Sequence, residues 1–99
     1  MTRLRTHPGE VLREEFIAPL GLSARSLGAA LGVPGNRISD ILRQRREISA
    51  DTAIRLGRYF DTTPLFWLNL QTAHDLSKAA IANDYSSIAP RPRETEAAA

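Results

Sequence analysis

A short polar segment between residues 35 and 46 holds the side chains best suited to chemistry in this chain. Its first half contains groups that can hydrogen-bond to base edges, together with the glycine that precedes them: Gly35, Asn36, Arg37, Ser39 and Asp40. An amide can pair with adenine, a guanidinium with guanine, and a carboxylate with the amino group of cytosine. Three arginines follow, whose forked guanidinium groups suit phosphates: Arg43, Arg45 and Arg46. The segment therefore favours a polyanionic partner.

Each assignment has a plainer alternative. Asn36 could be a solvated residue in a first helical turn, and Arg37 suits a phosphate somewhat better than guanine. Asp40 could repel the wrong partner or pair with Arg37 instead of accepting from cytosine. The three arginines could be an ordinary solvated charge run. A backbone clamp that acts alike on all base sequences is the preferred interpretation.

The distribution of charge agrees with a polyanionic partner. The formal net charge is only +2, but residues 23–48 hold five Arg and two acidic residues.

Ninety-nine residues, of which 42% are hydrophobic, predict a single small domain. Pro, Gly or charged residues interrupt every apolar stretch within a few positions. We therefore expect no membrane span and a cytoplasmic protein.

Metal and disulfide chemistry is disfavoured by the residue types. The chain has no Cys and only two His, which are far apart in the sequence. Disulfides and thiolate metal sites are therefore excluded, and no metal is expected. We interpret His7 as a helix-start residue and His74 as a surface or packing residue.

Catalytic patterns are also missing. Glu10, Glu14 and Glu15 lie on one predicted helix, where neighbours do not converge on a substrate as paired catalytic carboxylates must. The glycines at 28, 32 and 35 lack the spacing of a dinucleotide-binding loop. We predict that the protein is not an enzyme and needs no cofactor.

Start and stop signals predict that five helices position the polar segment. The starts are marked by residues that cap or open helices: Pro8, Ser23, Pro34, Ser49 and Thr62-Thr63-Pro64. Pro19-Leu20-Gly21 ends the first helix, Gly32 ends the second, and the fifth reaches about residue 82. No stretch alternates long enough to predict a strand. The expected fold is an all-α, compact five-helix bundle in residues 1–82, followed by a mobile tail in residues 83–99.

The second and third predicted helices have the pattern of a helix-turn-helix. Small residues at Gly28, Ala29 and Gly32 allow two helices to cross closely and the chain to turn sharply. Four apolar side chains then lock the pair together: Leu27, Leu31, Ile38 and Ile41. The second helix of such a unit lies in the major groove of DNA, with its first residues on base edges. The polar residues from 35 to 40 occupy those positions.

The start of the fifth predicted helix is apolar around nearly its whole circumference. Residues 65–70 read Leu-Phe-Trp-Leu-Asn-Leu, so we expect burial on two sides: one in the core and one in a dimer interface formed by Phe66, Trp67 and Leu70. The alternative for Trp67 is burial within its own chain. A dimer would place two recognition helices about 34–36 Å apart, which matches successive major grooves.

Several segments together carry a family signature. They are His7-Pro8-Gly9-Glu10, Val33-Pro34-Gly35-Asn36-Arg37-Ile38, Ile48-Ser49-Ala50-Asp51-Thr52-Ala53, Arg55-Leu56, Thr63-Pro64 and Phe66-Trp67-Leu68-Asn69-Leu70-Gln71. On these segments residues 7–78 resemble the HigA-type (VapI-like) antitoxins, which are Xre-like helix-turn-helix proteins. The resemblance implies a lambda-repressor-like homodimer in a prokaryotic cytoplasm. Such a protein binds double-stranded operator DNA, represses its own operon and neutralises a RelE/HigB-like mRNA-cleaving toxin.

The chain departs from the family pattern at four positions. Gly35 replaces a longer polar residue at the head of the recognition helix, and Ala24 lacks the polar side chain that reaches a phosphate in related proteins. Ser23 and the backbone N–H groups beside Ala24 remain candidates for phosphate binding. Gln44 and Asp61 stand where glycine is usual, so both need a positive φ if the usual turns persist.

Two other functions remain alternatives to an antitoxin. One is a free-standing Xre-type transcriptional regulator without a toxin partner. The other is a protein-interaction module whose recognition helix has lost its function, as Gly35 could indicate. The sequence does not rank the surfaces that could meet a toxin, which are the first helix, the polar faces of the fourth and fifth, and the tail.

Overall fold

Five helices occur within residues 3–92, which are the residues that the computed structural model of this chain describes. They are α1 (residues 8–20), α2 (Ala24–Leu31), α3 (Gly35–Leu42), α4 (Ala50–Phe60) and α5 (Pro64–Ala82). No strand occurs in that range. The predicted all-α fold with five helices is confirmed, and no described helix is both long and apolar enough to cross a membrane.

Side-chain caps explain where four of the helices begin. His7, Ser23, Ser49 and Thr63 each accept a hydrogen bond from a backbone N–H in the first turn that follows. The start of α3 is different, because Pro34 precedes it in an extended conformation and no side chain caps it. Pro34 was predicted to be the first helical residue, but the helix begins one residue later. The first N–H groups of α3 therefore lack a side-chain partner.

Residues in the left-handed backbone conformation follow the ends of α1 to α4 and shape the turns there. Gly21 and Gly32 adopt φ values of 63° and 74° after α1 and α2. Gln44 and Asp61 also have positive φ, at 61° and 59°. The two turns that were predicted to need a positive φ therefore form without glycine. Each of these two non-glycine residues costs about 1–2 kcal/mol of strain.

The middle of α1 is wider than an α-helix. An α-helical turn at Pro8–Val11 leads into a π-helical segment at Leu12–Ile17 and then into Ala18–Leu20. The segment buries Leu12 and Ile17. Its wider hydrogen-bond pattern is a finding that the apolar spacing of the sequence did not predict.

The core lies where all five helices meet. The residues that share it are apolar and buried: Leu12, Ile17, Leu27, Leu31, Val33, Ile38, Ile41, Ile48, Ala53, Leu56 and Trp67. At the crossing of α2 and α3, a β-carbon on Gly28 would lie 2.9 Å from the Val33 carbonyl oxygen and 3.0 Å from the Gly35 Cα. The predicted need for a small residue at this crossing is confirmed for Gly28, whereas Ala29 is exposed and does not take part.

Residues 83–92 continue beyond α5 without helix or strand. They are exposed, and the Ile88 N–H donates to the Tyr85 carbonyl oxygen at 3.0 Å. The predicted boundary between a domain and a tail at residue 83 stays a prediction. The remainder of the predicted tail, residues 93–99, and residues 1–2 of the predicted domain lie outside the described residues.

Candidate nucleic-acid interface

Helix α3 is held against the body of the protein by its apolar side. Ile38 and Ile41 are fully buried, and the Val33 N–H donates to the Gly28 carbonyl oxygen at 2.9 Å across the turn that joins α2 to α3. The Arg13 guanidinium donates from Nη2 to the Leu42 carbonyl oxygen at 2.6 Å. Both ends of α3 are therefore fixed, and its polar side is turned away from the core.

The predicted base-reading residues differ in how far they reach solvent. Asn36 is exposed, whereas Arg37, Ser39 and Asp40 are half-buried. The Ser39 hydroxyl donates to the Gly35 carbonyl oxygen at 3.2 Å, which uses its proton within the helix and leaves its oxygen as an acceptor. Asn36 is the member of the set that is most available to a ligand.

Gly35 was predicted to lie on or beside the outer face of α3, and it is half-buried. A β-carbon at residue 35 would point at α2, 3.4 Å from the Cα of Arg25. The close crossing of the two helices turns this position inward.

Arg37 is paired with a residue that the sequence analysis did not select. Its Nη1 donates to Oδ2 of Asp51 on α4 at 2.9 Å, and Arg55 Nε donates to the same oxygen at 3.0 Å. The hydrogen bonds from Arg55 and Arg37 hold the pKa of Asp51 below its ordinary value. Asp40, the partner considered from the sequence, is not the one that Arg37 contacts.

One of these two ion pairs could have been found from the sequence. Asp51 and Arg55 are four residues apart on a predicted helix, and this spacing brings opposite charges together. The pair of Arg37 and Asp51 spans fourteen positions and two helices, so no local pattern indicates it. Arg13, which caps α3 from α1, is missed for the same reason.

The three predicted phosphate clamps lie together at the end of α3. Arg43, Arg45 and Arg46 are exposed, and among the described residues none of them joins an ion pair. The positive φ of Gln44 bends the chain between them, and the Arg45 N–H donates to the Asp40 carbonyl oxygen at 2.8 Å. Three exposed guanidinium groups without an ion pair in the described residues therefore follow the end of α3.

The start of α2 has fewer side-chain groups available for phosphate than predicted. The Ser23 hydroxyl oxygen accepts from the Ser26 N–H at 3.0 Å, while Ser26 Oγ accepts from the Ser23 N–H at 2.9 Å. This reciprocal capping occupies Ser23. Ala24 is half-buried and packs against the core. A phosphate contact at this helix end remains a prediction that rests mainly on backbone N–H groups.

Trp67 was predicted to lie in a dimer interface, and this prediction is wrong. It is fully buried in its own chain, and its indole Nε1 donates to Thr62 Oγ1 at 2.8 Å, so it has no surface to offer a partner. Phe66 stays 38% exposed, and Leu70 is half-buried. The interpretation that Trp67 belongs to the core of its own chain is the one that the structure supports.

The two histidines are structural. His7 Nδ1 accepts from the Gly9 N–H at 2.8 Å, and His74 Nδ1 donates to the Arg5 carbonyl oxygen at 2.7 Å. Their rings meet edge to face at 4.9 Å. The predicted roles of helix-start and packing residue are confirmed. Within residues 3–92 no cluster of three or more His, Cys, Asp or Glu side chains could hold a metal ion.

Comparison with known proteins agrees with this architecture. A family model described as helix-turn-helix matches residues 12–68. Virulence-associated protein I of Dichelobacter nodosus is 56% identical over 73 residues, which are 74% of this chain and 68% of that protein. Neither this relative nor the structures below are named as enzymes.

Two solved structures are similar over most of the chain. The Pseudomonas aeruginosa antitoxin HigA, solved with the higBA promoter, has a TM-score of 0.85 and 46% identity, and the match covers 91% of this chain and all of that one. Antitoxin GraA has a TM-score of 0.86 and 47% identity, with 90% and 99% covered. The chain therefore belongs to the helix-turn-helix family and, within it, to the HigA-type antitoxins.

Proposed function

We propose that this protein binds double-stranded operator DNA through α3, represses its own operon, and neutralises a RelE/HigB-like mRNA-cleaving toxin. The observation that carries the proposal is the similarity to an antitoxin solved with its promoter, at 46% identity over 91% of this chain. The exposed polar face of α3 and the adjacent arginines support the same function through their chemistry.

Base recognition is assigned to the outer side of α3. The Asn36 amide can donate and accept on an adenine edge, and such a bidentate contact discriminates by about 1–3 kcal/mol. Arg37 can contact guanine or a phosphate with the nitrogens that Asp51 does not engage. Ser39 and Asp40 act as acceptors, and Gly35 contributes its backbone N–H.

Affinity is assigned to the turn that follows α3. Arg43, Arg45 and Arg46 are exposed and unneutralised in the described part of the chain. Contacts from them to phosphates would fix the register of α3 without adding sequence information. Each phosphate that is neutralised steepens the dependence of log affinity on log salt by about 0.9.

The protein acts as a homodimer in this proposal. Phe66 and Leu70, at the start of α5, form the apolar contact together with Leu65, which is 63% exposed. A second copy that covers these side chains would remove them from water and set two α3 helices to face successive major grooves.

The test of DNA binding compares an inverted repeat upstream of the gene with a scrambled duplex of equal length, over a range of salt concentrations. We expect a preference for the repeat and a steep loss of affinity with salt. The double variant Asn36→Ala with Arg37→Ala should lose the preference. Arg58→Ala removes one charge from an exposed position at the far end of α4 and is the matched control. A wild-type protein that binds both duplexes equally contradicts the proposal.

The toxin is tested by co-expression with each adjacent open reading frame. A small partner that purifies with this chain at fixed stoichiometry, and that arrests growth when it is expressed alone, is the expected result. The double variant in α3 should still bind this partner, because none of the candidate toxin surfaces includes α3; they are the first helix, the polar faces of the fourth and fifth, and the tail. If no neighbouring product binds, the chain is a free-standing regulator and the toxin part of the proposal is wrong.

A further inference from the structure

Asp51 stands at the centre of a chain of contacts that ends on the recognition helix. It lies in the first turn of α4, outside the polar segment that was selected from the sequence. Its Oδ2 accepts from Arg37 Nη1 at 2.9 Å and from Arg55 Nε at 3.0 Å. One carboxylate oxygen thus connects the base-reading helix to α4.

The same chain of contacts reaches α2. Arg55 donates from Nη1 to the Leu31 carbonyl oxygen at 2.7 Å, and Leu31 is the last residue of α2. A β-carbon on Gly32 would lie 3.3 Å from the same nitrogen, so the guanidinium is seated against the turn between α2 and α3. Asp51 therefore links both helices of the helix-turn-helix to α4.

Stability alone gives a weak reason for this arrangement. The Asp51 side chain is 57% exposed and that of Arg55 is 40% exposed, and exposed ion pairs contribute little to stability. A carboxylate beside a DNA-binding face also repels phosphates, which lowers affinity for any duplex. A residue in this position is better explained by its effect on orientation.

The Arg37 guanidinium must be held in a defined orientation in order to contact a base edge. The guanidinium has five donors in a rigid fork on a flexible stem, and its Nη1 is held by Asp51 while Nε and Nη2 remain for a ligand. The Arg37 side chain is only 27% exposed, so its position is restricted before DNA arrives. A group held in its bound geometry loses less entropy on binding.

We propose that Asp51 is a positioning residue for base recognition, which fixes the Arg37 guanidinium at the outer face of α3. This inference rests on the proposed function as an operator-binding protein. It assigns to α4 a part in sequence discrimination, although Asp51 itself need not touch a base.

The experiment measures the affinity of the full chain for the operator and for a scrambled duplex of equal length. We expect Asp51→Ala to reduce the preference for the operator about tenfold, at the lower end of the discrimination from one bidentate base contact. Its affinity for the scrambled duplex should stay the same or rise, because a negative charge near phosphates has been removed. Asp51→Glu keeps a carboxylate at this position and should retain part of the preference for the operator. Asp84→Ala removes an exposed carboxylate beyond α5 and should leave the preference unchanged.

A double-mutant cycle with Arg37 separates positioning from a general structural role. Once Arg37 is replaced by Ala, Asp51→Ala should change the preference less than about twofold, because the group that it positions is gone. Equal losses on operator and scrambled duplex, or additive losses in the cycle, would overturn the inference while leaving operator binding intact. A wild-type chain without preference for the operator would instead overturn the proposed function, and this inference with it.

Discussion

Gly9 and Ile41 bring the first helix into direct contact with the recognition helix. A β-carbon at residue 9 would lie 2.9 Å from the Ile41 carbonyl carbon and would overlap its carbonyl oxygen. Because that atom is backbone, neither helix can yield by changing a rotamer. The contact makes the end of α3 sensitive to a residue that lies far from it in the sequence.

Gly9→Ala should therefore destabilise the protein by about 1–3 kcal/mol, the usual cost of overpacking, and displace the end of α3. Urea unfolding measures the stability. Gly21→Ala is the matched control, because Gly21 has φ 63° and no atom within 4 Å of its β-carbon position, so it reports backbone strain alone. If Gly9→Ala is as stable as wild type, the close contact of α1 with α3 is wrong.

His7 should make stability depend on pH. Burial, and then the neighbouring His74 ring, hold the pKa of His7 below its ordinary value of 6.5. The neutral Nδ1 accepts the Gly9 N–H, and protonation would place a proton on that atom. The unfolded chain then binds more protons than the folded chain, so stability should fall as pH drops below 6.5 and stay level above it.

Burial, His74 and Lys78 lower the pKa of His7, whereas Asp75 raises it, so the fall in stability reflects all four contributions. His7→Asn keeps an oxygen that can cap α1 but cannot titrate. We expect this variant to lose most of the fall in unfolding free energy below pH 6.5, whatever its absolute stability. An unchanged slope would mean that other groups titrate in this range.

Gln71 supports the loop before α4. Its Oε1 accepts from the buried Ile48 N–H at 2.7 Å, and its Nε2 donates to Asp75 at 3.0 Å. Gln71→Leu leaves the Ile48 N–H without a partner, which should cost about 1–3 kcal/mol of unfolding free energy. Asp75→Ala removes only the acceptor of the Nε2 bond and should cost less, and equal losses in the two variants would argue against the hydrogen bond to Ile48.

Replacing Asn36 and replacing Arg45 should change DNA binding in different ways. Asn36→Ala should reduce operator preference by about 1–3 kcal/mol with little change in salt dependence. Arg45→Ala should weaken binding to all duplexes alike and reduce the salt slope by about 0.9. Fluorescence anisotropy at several salt concentrations measures both quantities. An Arg45 variant that changes base preference would contradict its assignment to phosphate.

Phe66 should control dimerisation. Phe66→Ala removes an exposed aromatic side chain from the proposed interface and should raise the dimer dissociation constant at least about tenfold, as aromatic anchors do. Leu76→Ala, at a 66% exposed position later in α5, is the matched control. Sedimentation equilibrium measures the constant, and equal effects of the two changes would place the interface elsewhere.

The sequence by itself determined the helices and the polar face of α3. Caps, prolines and glycines act on neighbouring residues, so Ser23, Gly32, Ser49 and Thr63 could be recognised from local spacing. The position of Asn36 on an exposed helix face followed from the apolar spacing of Ile38 and Ile41. Such features need only short-range physical chemistry.

Only the tertiary structure decided which side chains are exposed and which distant residues contact each other. The packing of α2 against α3 turned Gly35 inward, and burial in the core removed Trp67 from the surface. Asp51 became the partner of Arg37 because two separate helices meet at that point. Long-range packing sets the distances between residues that are far apart in the chain, and no spacing within the sequence encodes those distances.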